Sequence, residues 1–174
     1  MPFIYLDNLR FFQFNTIQAK HAIFTRHGGL SPEPWHSLNV GGTVGDGRTR
    51  VRANRNLSLK VLGCEPDSVF DVWQVHSADV VCATAPRPDT EAVRQADIIL
   101  TDKPELTLYM RFADCVPILF HDPRKGVIGV AHAGWIGTLR DVATATINAM
   151  AKQYGSKPAD IIAGIGPSIG PDHY

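Results

Sequence analysis

The chain has 174 residues, of which 44% are hydrophobic, so it holds enough apolar material for one compact domain with a core. Its 17 basic and 17 acidic residues cancel at neutral pH, which argues against the strong positive field of a general nucleic-acid binder. No apolar run reaches membrane-spanning length, and the N-terminus lacks a secretory pattern. We therefore expect a partner that is a small molecule, with no nucleic acid and no membrane involved.

The cysteine content indicates a reducing compartment. Three cysteines, Cys64, Cys82 and Cys115, form an odd set without paired spacing, so a disulfide framework is not expected. We expect free thiols and a cytoplasmic location.

The hydrophobic pattern predicts a mixed α and β structure. A first helix is expected from about residue 49 to residue 62, closed by Gly63. Several of the predicted strands are apolar on both faces, which implies that other layers cover them. The predicted strands, rich in β-branched and aromatic residues, are 22–25, 69–76, 97–101, 106–112, 116–120, 127–132 and 160–165.

The clearest helix lies near the end of the chain, where apolar residues recur every three or four positions. Thr138 is expected to cap its first turn together with Asp141, and Gly155 to end it. The apolar stripe consists of Leu139, Ala143, Ile147, Met150 and Tyr154.

Three separate segments each offer a potential metal ligand beside small or polar residues. His76 follows Gln74 in a predicted strand, Cys115 follows Asp114, and His132 ends a predicted strand. Two imidazole nitrogens and one thiolate suit zinc and leave a fourth tetrahedral position open for water or substrate. This donor set is the strongest indication of chemistry in the chain.

Each of these residues also has a structural interpretation. A lone cysteine such as Cys115 is more often a small buried hydrophobe, and a lone histidine such as His132 is more often a hydrogen-bonded core residue. The alternative for His76 is an exposed histidine at the end of a strand. The separations of 39 and 17 residues between His76, Cys115 and His132 match no short zinc signature. The spacing alone leaves these alternatives open.

Taken in order, the motifs of the chain resemble a family once named multicopper polyphenol oxidases, or laccase-domain proteins, now linked to purine nucleoside phosphorolysis and adenosine deamination. The resemblance spans nearly the whole chain, and the ordered set is specific although each piece is short. The motifs are Thr25-Arg26-His27-Gly28-Gly29, Ser37-Leu38-Asn39-Val40-Gly41, Asn54-Arg55, Gln74-Val75-His76, Ala96-Asp97, Arg111-Phe112-Ala113-Asp114-Cys115, His132-Ala133-Gly134-Trp135 and Gly166-Pro167-Ser168-Ile169-Gly170.

The resemblance implies a fold and a site. The fold would be α+β, with a central β-sandwich of mixed sheets flanked by helices, in the α/β/β/α order of a cysteine-hydrolase-like fold, and residues 1–174 would form a single domain. His76, Cys115 and His132 match the metal-ligand and catalytic positions, with zinc as the metal. Arg26 and Asn39 match the wall of the substrate pocket. Copper is disfavoured because one cysteine and two histidines cannot supply several copper centres.

The chain also departs from the family pattern. Ser77 stands where the family usually has glycine, and Ile136 stands where a basic residue is common, which removes a possible phosphate contact. The chain stops at Tyr174, where members usually continue with a further helical segment. We therefore expect a domain that is truncated at its C-terminus.

Three functions are compatible with these residues. The first is a zinc-dependent purine nucleoside enzyme, for phosphorolysis of adenosine, inosine or methylthioadenosine with phosphate and for adenosine deamination. The second is a metal-free cysteine hydrolase or amidase in which His132 activates Cys115. The third is a non-enzymatic module clamped by zinc, which would need a fourth protein ligand such as His27.

Overall fold

The computed structural model describes residues 3–88 and 90–173, in which the chain forms α-helices, β-strands and two single-turn 3₁₀ helices. The helices are α1 (Arg48–Val61), α2 (Trp135–Leu139) and α3 (Val142–Tyr154). The strands are β1 (Ile4–Leu6), β2 (Leu9–Phe12), β3 (Ile23–Phe24), β4 (Val69–Asp71), β5 (Val80–Cys82), β6 (Ile98–Thr101), β7 (Thr107–Tyr109), β8 (Val116–Asp122), β9 (Val127–Ala133) and β10 (Ile162–Ile165).

The chain divides into two compact units. The first consists of Met1–Asn15 and Lys20–Pro66, and the second of Thr16–Ala19 and Asp67–Tyr174. The first unit holds an antiparallel sheet in the order β1-β2-β3, followed by helix α1. The expectation that residues 1–174 form a single domain stays a prediction.

The side chain of Asn54 on α1 organises the long loop of the first unit. It is fully buried, and its carbonyl accepts the backbone N–H of Leu30 at 2.8 Å. Its amide nitrogen donates to the Ser31 hydroxyl and to the backbone carbonyls of Ser37 and Asn39. Because one amide satisfies so many loop groups, its removal leaves several buried polar atoms without partners.

The second unit is built around a five-stranded sheet with the strand order β10-β8-β9-β6-β5. Strands β8 and β9 form an antiparallel hairpin, β9 pairs antiparallel with β6, and β6 pairs parallel with β5. A separate two-stranded parallel sheet joins β4 and β7. The mixed sheet pairings match the expectation of an α+β fold.

Apolar side chains cover both faces of the five-stranded sheet. On one face, Ile98 and Leu100 of β6 pack with Val142 and Met150 of α3. On the opposite face, Ile99 of β6 and Val130 of β9 pack in a cluster with Phe70 of β4 and with Val72, Ala83, Ala96 and Leu106. The large sheet therefore lies between a helix and a second sheet, which explains why its strands are apolar on both sides.

The structure confirms a mixed α+β fold and the existence of most predicted elements, while the cysteine-hydrolase-like label stays a prediction. The predicted strand 69–76 is wrong beyond Asp71, because β4 ends there, Trp73 forms only an isolated parallel bridge with Gln95, and His76 adopts a φ of 59°. The predicted continuous C-terminal helix is also wrong. Asp141 has a φ of 53° and separates α2 from α3, and Thr138 donates its hydroxyl to the Gly134 carbonyl rather than capping α3.

Other predicted boundaries agree with the structure to within a few residues. Gly155 ends α3 in the left-handed conformation, as expected. The predicted elements did not include strands β1, β2 and β5, which are three or four residues long. In the described part of the chain, no helix has the length and the apolar character needed to cross a membrane.

We predict that Asn54→Ala lowers the free energy of unfolding by about 2–3 kcal/mol, because buried loop groups lose their partners. Asn56 is an exposed asparagine on the same helix, and Asn56→Ala is expected to change stability by less than about 0.5 kcal/mol. Chemical denaturation of the wild type and the two variants measures these changes in the free energy of unfolding. Equal stabilities would contradict the organising role of Asn54.

Candidate metal centre

The β8–β9 hairpin of the second unit brings Cys115 and His132 together. Pro117 of β8 pairs with His132 of β9, and Val116 pairs with Ala133. Cys115, which precedes β8, therefore lies beside Gly134, which follows β9. An ideal Cβ built on Gly134 would lie 3.0 Å from the Cys115 sulfur and 2.8 Å from Nδ1 of His76.

The three predicted ligands form one cluster. A ligand atom from each of His76, Cys115 and His132 lies within 4.8 Å of the other two. The two imidazole rings meet edge to face, with centroids 4.9 Å apart, and the Phe112 ring lies 5.5 Å from the His132 ring. His132 is buried and His76 is exposed, so the cluster is reached from solvent on the His76 side.

His76 is carried by a tight turn whose backbone surrounds a carboxylate. The backbone N–H of His76 donates to Oδ1 of Asp97, and those of Val75 and Ser77 donate to Oδ2. The Ser77 hydroxyl donates to the same Oδ2 at 3.0 Å. The φ of 59° at His76 costs about 1–2 kcal/mol for a residue with a side chain, and these hydrogen bonds offset that cost.

The same carboxylate contacts the ring of His132. Oδ1 of Asp97 lies 2.8 Å from Nδ1 of His132, and the His132 backbone N–H donates to the Asp97 carbonyl at 2.8 Å. An ionised carboxylate only accepts hydrogen bonds, so the hydrogen of a neutral His132 ring lies on Nδ1. Nε2 then keeps its lone pair, which is the form that binds a metal.

The electrostatics of the cluster follow from burial and from two carboxylates. Burial raises the pKa of the Cys115 thiol, and the negative charges of Asp114 and Asp97 raise it further. Burial lowers the pKa of His132, against the opposing effect of Asp97. Burial alone would raise the pKa of Asp97, but the hydrogen bonds from Ser77, His132 and Val75 lower it overall.

Gln74 joins the His76 segment to the strand region before Cys115. Its side-chain nitrogen donates to the Arg111 carbonyl at 2.6 Å, and its side-chain oxygen accepts the Arg111 backbone N–H at 3.1 Å. The Arg111 guanidinium donates to Oδ2 of Asp71 and to the Val72 carbonyl. These contacts fix the segments that carry two of the three predicted ligands.

The residues of the cluster fit a metal ion. Two imidazoles and one thiolate are a donor set for zinc, and Gly134 leaves open the space that a side chain would fill beside His76 and Cys115. Within the described ranges, this is the group of three metal-binding side chains that the structure brings together. His27, the fourth ligand that a zinc clamp would use, is not a member of it.

The other two predicted site residues belong to the first unit. The Arg26 guanidinium donates through Nε and Nη2 to the His36 carbonyl. The Asn39 side chain donates to Asp46 and accepts the Gly41 backbone N–H. Their expected contribution to a substrate wall stays a prediction.

Two residues of the site were not assigned a role from sequence. Asp97 is fully buried and contacts both histidine segments, and Ser77 donates to it twice. The sequence did contain one sign of the role of Asp97, namely its position directly before the apolar strand β6. A charge is costly to bury there unless it is hydrogen-bonded.

Comparison with known proteins matches the chain to a family. The family model described as "Multi-copper polyphenol oxidoreductase laccase" matches residues 20–174. A relative from Streptomyces coelicolor, named purine nucleoside phosphorylase SCO2081, is 43% identical over 158 residues, which are 90% of this chain and 64% of the relative. The chain thus spans less than two thirds of the length of this curated relative.

Solved structures have a similar fold. The Bacillus licheniformis hypothetical protein YfiH superposes with a TM-score of 0.86 at 36% identity, over 99% of this chain and 67% of that one. YlmD from Geobacillus stearothermophilus superposes with a TM-score of 0.82 at 37% identity, over 88% of this chain and 59% of that one. The likeness extends over both units of the chain.

We predict that Gly134→Ala removes most of the bound metal, because the added methyl group would lie against His76 and Cys115. Mass spectrometry of the purified wild type and variant measures their metal content and so tests this prediction. Gly42→Ala is the control, since a Cβ there would meet only the Arg55 side chain, at 3.9 Å. If Gly134→Ala carries as much metal as Gly42→Ala, the space beside Gly134 is not needed for the ion.

Proposed function

Because the chain belongs to the multi-copper polyphenol oxidoreductase laccase family, and relatives named purine nucleoside phosphorylase match most of its length, we propose that it is a zinc-dependent purine nucleoside enzyme. The observation that carries the proposal is the cluster of His76, Cys115 and His132 within 4.8 Å. The reaction is phosphorolysis of a purine nucleoside such as adenosine, inosine or methylthioadenosine, and adenosine deamination is its companion activity. We also propose that the protein is cytoplasmic.

The donor set supports zinc over several copper ions. One thiolate and two imidazoles make one mononuclear site, whereas several copper centres need more ligands than this cluster offers. When bound, a zinc ion would supply Lewis acidity to a substrate oxygen or to a water molecule. Oxidation of phenols is therefore not the proposed reaction.

The residues of the chain have separate tasks in this proposal. His132 is oriented by Asp97 and presents Nε2, Cys115 supplies the negative charge, and exposed His76 lies on the side open to substrate. In phosphorolysis, a phosphate oxygen bonds to C1′ of the ribose while the bond from C1′ to the base breaks and the base gains a proton. In deamination, water replaces the amino group at C6 of adenine as ammonia leaves.

Arg26 and Asn39 are proposed to bind substrate. Arg26 is exposed, and the His36 carbonyl holds two of its guanidinium nitrogens, so the planar group is oriented before an anion such as phosphate arrives. Asn39 offers an amide in a loop tied to Asp46.

We predict that the metal-loaded protein releases hypoxanthine from inosine only when phosphate is present, and that Cys115→Ala reduces the release to background. The second product, ribose 1-phosphate, is measured in the same reaction by chromatography. The full-length relative from Streptomyces coelicolor serves as the positive control, because this chain spans only part of its length.

Adenosine separates the two activities in the same assay. Phosphorolysis gives adenine and requires phosphate, whereas deamination gives inosine without phosphate. If neither adenine nor inosine forms under any metal loading while the relative is active, the proposed function is wrong for this chain.

A second candidate function is a metal-free cysteine hydrolase. The hydrogen bond from His132 to Asp97 at 2.8 Å favours it, because a histidine oriented by a carboxylate beside a thiol is also the arrangement of cysteine nucleophiles. The raised pKa of Cys115 and the lowered pKa of His132 oppose it, since both shifts keep the thiol protonated near neutral pH.

We predict that Cys115 in the metal-free protein is alkylated by iodoacetamide more slowly at pH 7 than a free thiol such as N-acetylcysteine. Because the thiolate reacts and the pKa is raised, the rate should increase about tenfold per pH unit above pH 7 until the pH reaches that pKa. Mass spectrometry of the Cys115 peptide measures the rate. Fast, pH-independent alkylation at pH 6–7 would favour the hydrolase.

A further inference from the structure

One buried carboxylate contacts the segments of both histidine ligands. Asp97 is fully buried at the start of β6. Its Oδ1 accepts from Nδ1 of His132 and from the backbone of His76, and its Oδ2 accepts from the backbone of Val75 and Ser77 and from the Ser77 hydroxyl. Three consecutive backbone N–H groups directed at one anion form a nest, and here the anion is part of the protein.

We propose that Asp97 is a positioning residue for the metal: it keeps the hydrogen of His132 on Nδ1 and holds residues 75–77 in the turn that brings His76 to Cys115. This inference rests on the proposed metal site. A ligand histidine whose second nitrogen donates to a carboxylate is fixed in tautomer and in ring orientation. Asp97 fixes the ring of His132 in this way, and it fixes the backbone of His76 by accepting its N–H.

A second buried aspartate provides the contrast with a purely structural role. Asp122 is also fully buried in the same sheet, at the far end of the β8–β9 hairpin. Its Oδ1 accepts the backbone N–H groups of Arg124 and Lys125 in the hairpin turn. Asp122 thus organises a turn as Asp97 does, but in the part of the chain that the structure describes its hydrogen-bond partners Arg124 and Lys125 lie outside the cluster of His76, Cys115 and His132.

The side chain of Ser77 strengthens the same arrangement. Its hydroxyl donates to Oδ2 of Asp97 and accepts the backbone N–H of Asp79. It thereby connects the turn at His76 to the residues that lead into β5. Ser77→Ala should therefore weaken the position of the turn without removing the carboxylate.

The experiment compares zinc affinity, measured by competition with a chromophoric chelator, in the wild type, Asp97→Asn and Asp122→Asn. We expect Asp97→Asn to bind zinc about 10–100-fold more weakly, because the asparagine amide can donate to Nδ1 of His132 and move the ring hydrogen to Nε2. Asp122→Asn is expected to bind like the wild type. An affinity of Asp97→Asn within about twofold of Asp122→Asn would overturn the inference.

Nitrogen NMR of the metal-free protein, labelled with ¹⁵N-histidine, reads the tautomer directly, and the His132 signal is identified by its loss in His132→Ala. We expect the wild-type ring to carry hydrogen on Nδ1, and Asp97→Asn to shift it toward Nε2. A wild-type ring protonated on Nε2 contradicts the inference whatever the affinities are. This readout needs no bound metal and no activity.

Measurements on the same samples distinguish two further outcomes. If the wild type binds no zinc, the proposed metal function fails, and the tautomer alone decides the role of Asp97. If Asp97→Asn does not fold, as judged by circular dichroism, Ser77→Ala replaces it. That variant should bind zinc several-fold more weakly than the wild type, and an unchanged affinity would contradict the positioning role.

Discussion

The burial of the Asp97 carboxylate is the constraint on which the rest of the site depends. A buried charge costs several kcal/mol unless hydrogen bonds replace its water, and Asp97 is fully buried. The replacements come from the turn at residues 75–77 and from the His132 ring. The requirement to satisfy one charge therefore determines where two histidine side chains lie.

Much of the fold followed from local patterns, and the failures have physical causes. Strands β6, β8 and β9 are largely apolar, and such runs are predictable when both sheet faces are covered. The segment after Val69 also alternates, but its extension to His76 is interrupted because the Asp97 charge recruits the backbone N–H groups of the turn. Long-range contacts of this kind leave no periodic signal in either segment.

The C-terminal helix failed for a different reason. Of its predicted stripe, Met150 is fully buried in the core, and Ala143, Ile147 and Tyr154 are partly buried against it. Leu139 belongs to the same stripe by spacing but is 77% exposed, because the left-handed residue Asp141 separates α2 from α3. Spacing identified the buried face of α3 but gave no sign of a break that depends on one backbone conformation.

The three predicted ligands could be chosen from sequence, whereas the carboxylate that contacts both histidine segments could not. His76, Cys115 and His132 stand in recognisable motifs, and the structure brings them within 4.8 Å. Asp97 stands 21 residues from His76 and 35 from His132, and its role depends on a hydrogen-bond pattern that only the folded chain creates. The Ser77 hydroxyl supplies one of those hydrogen bonds and its backbone N–H supplies another.

The electrostatics of the cluster favour a cation site over a nucleophile site, although the geometry suits both. A cysteine nucleophile needs a lowered thiol pKa, but burial and the charges of Asp114 and Asp97 raise that of Cys115. A divalent cation reverses this balance, because its charge favours the thiolate and compensates the carboxylates together. The buried negative charge that would suppress a free nucleophile is therefore a favourable environment for a metal ion.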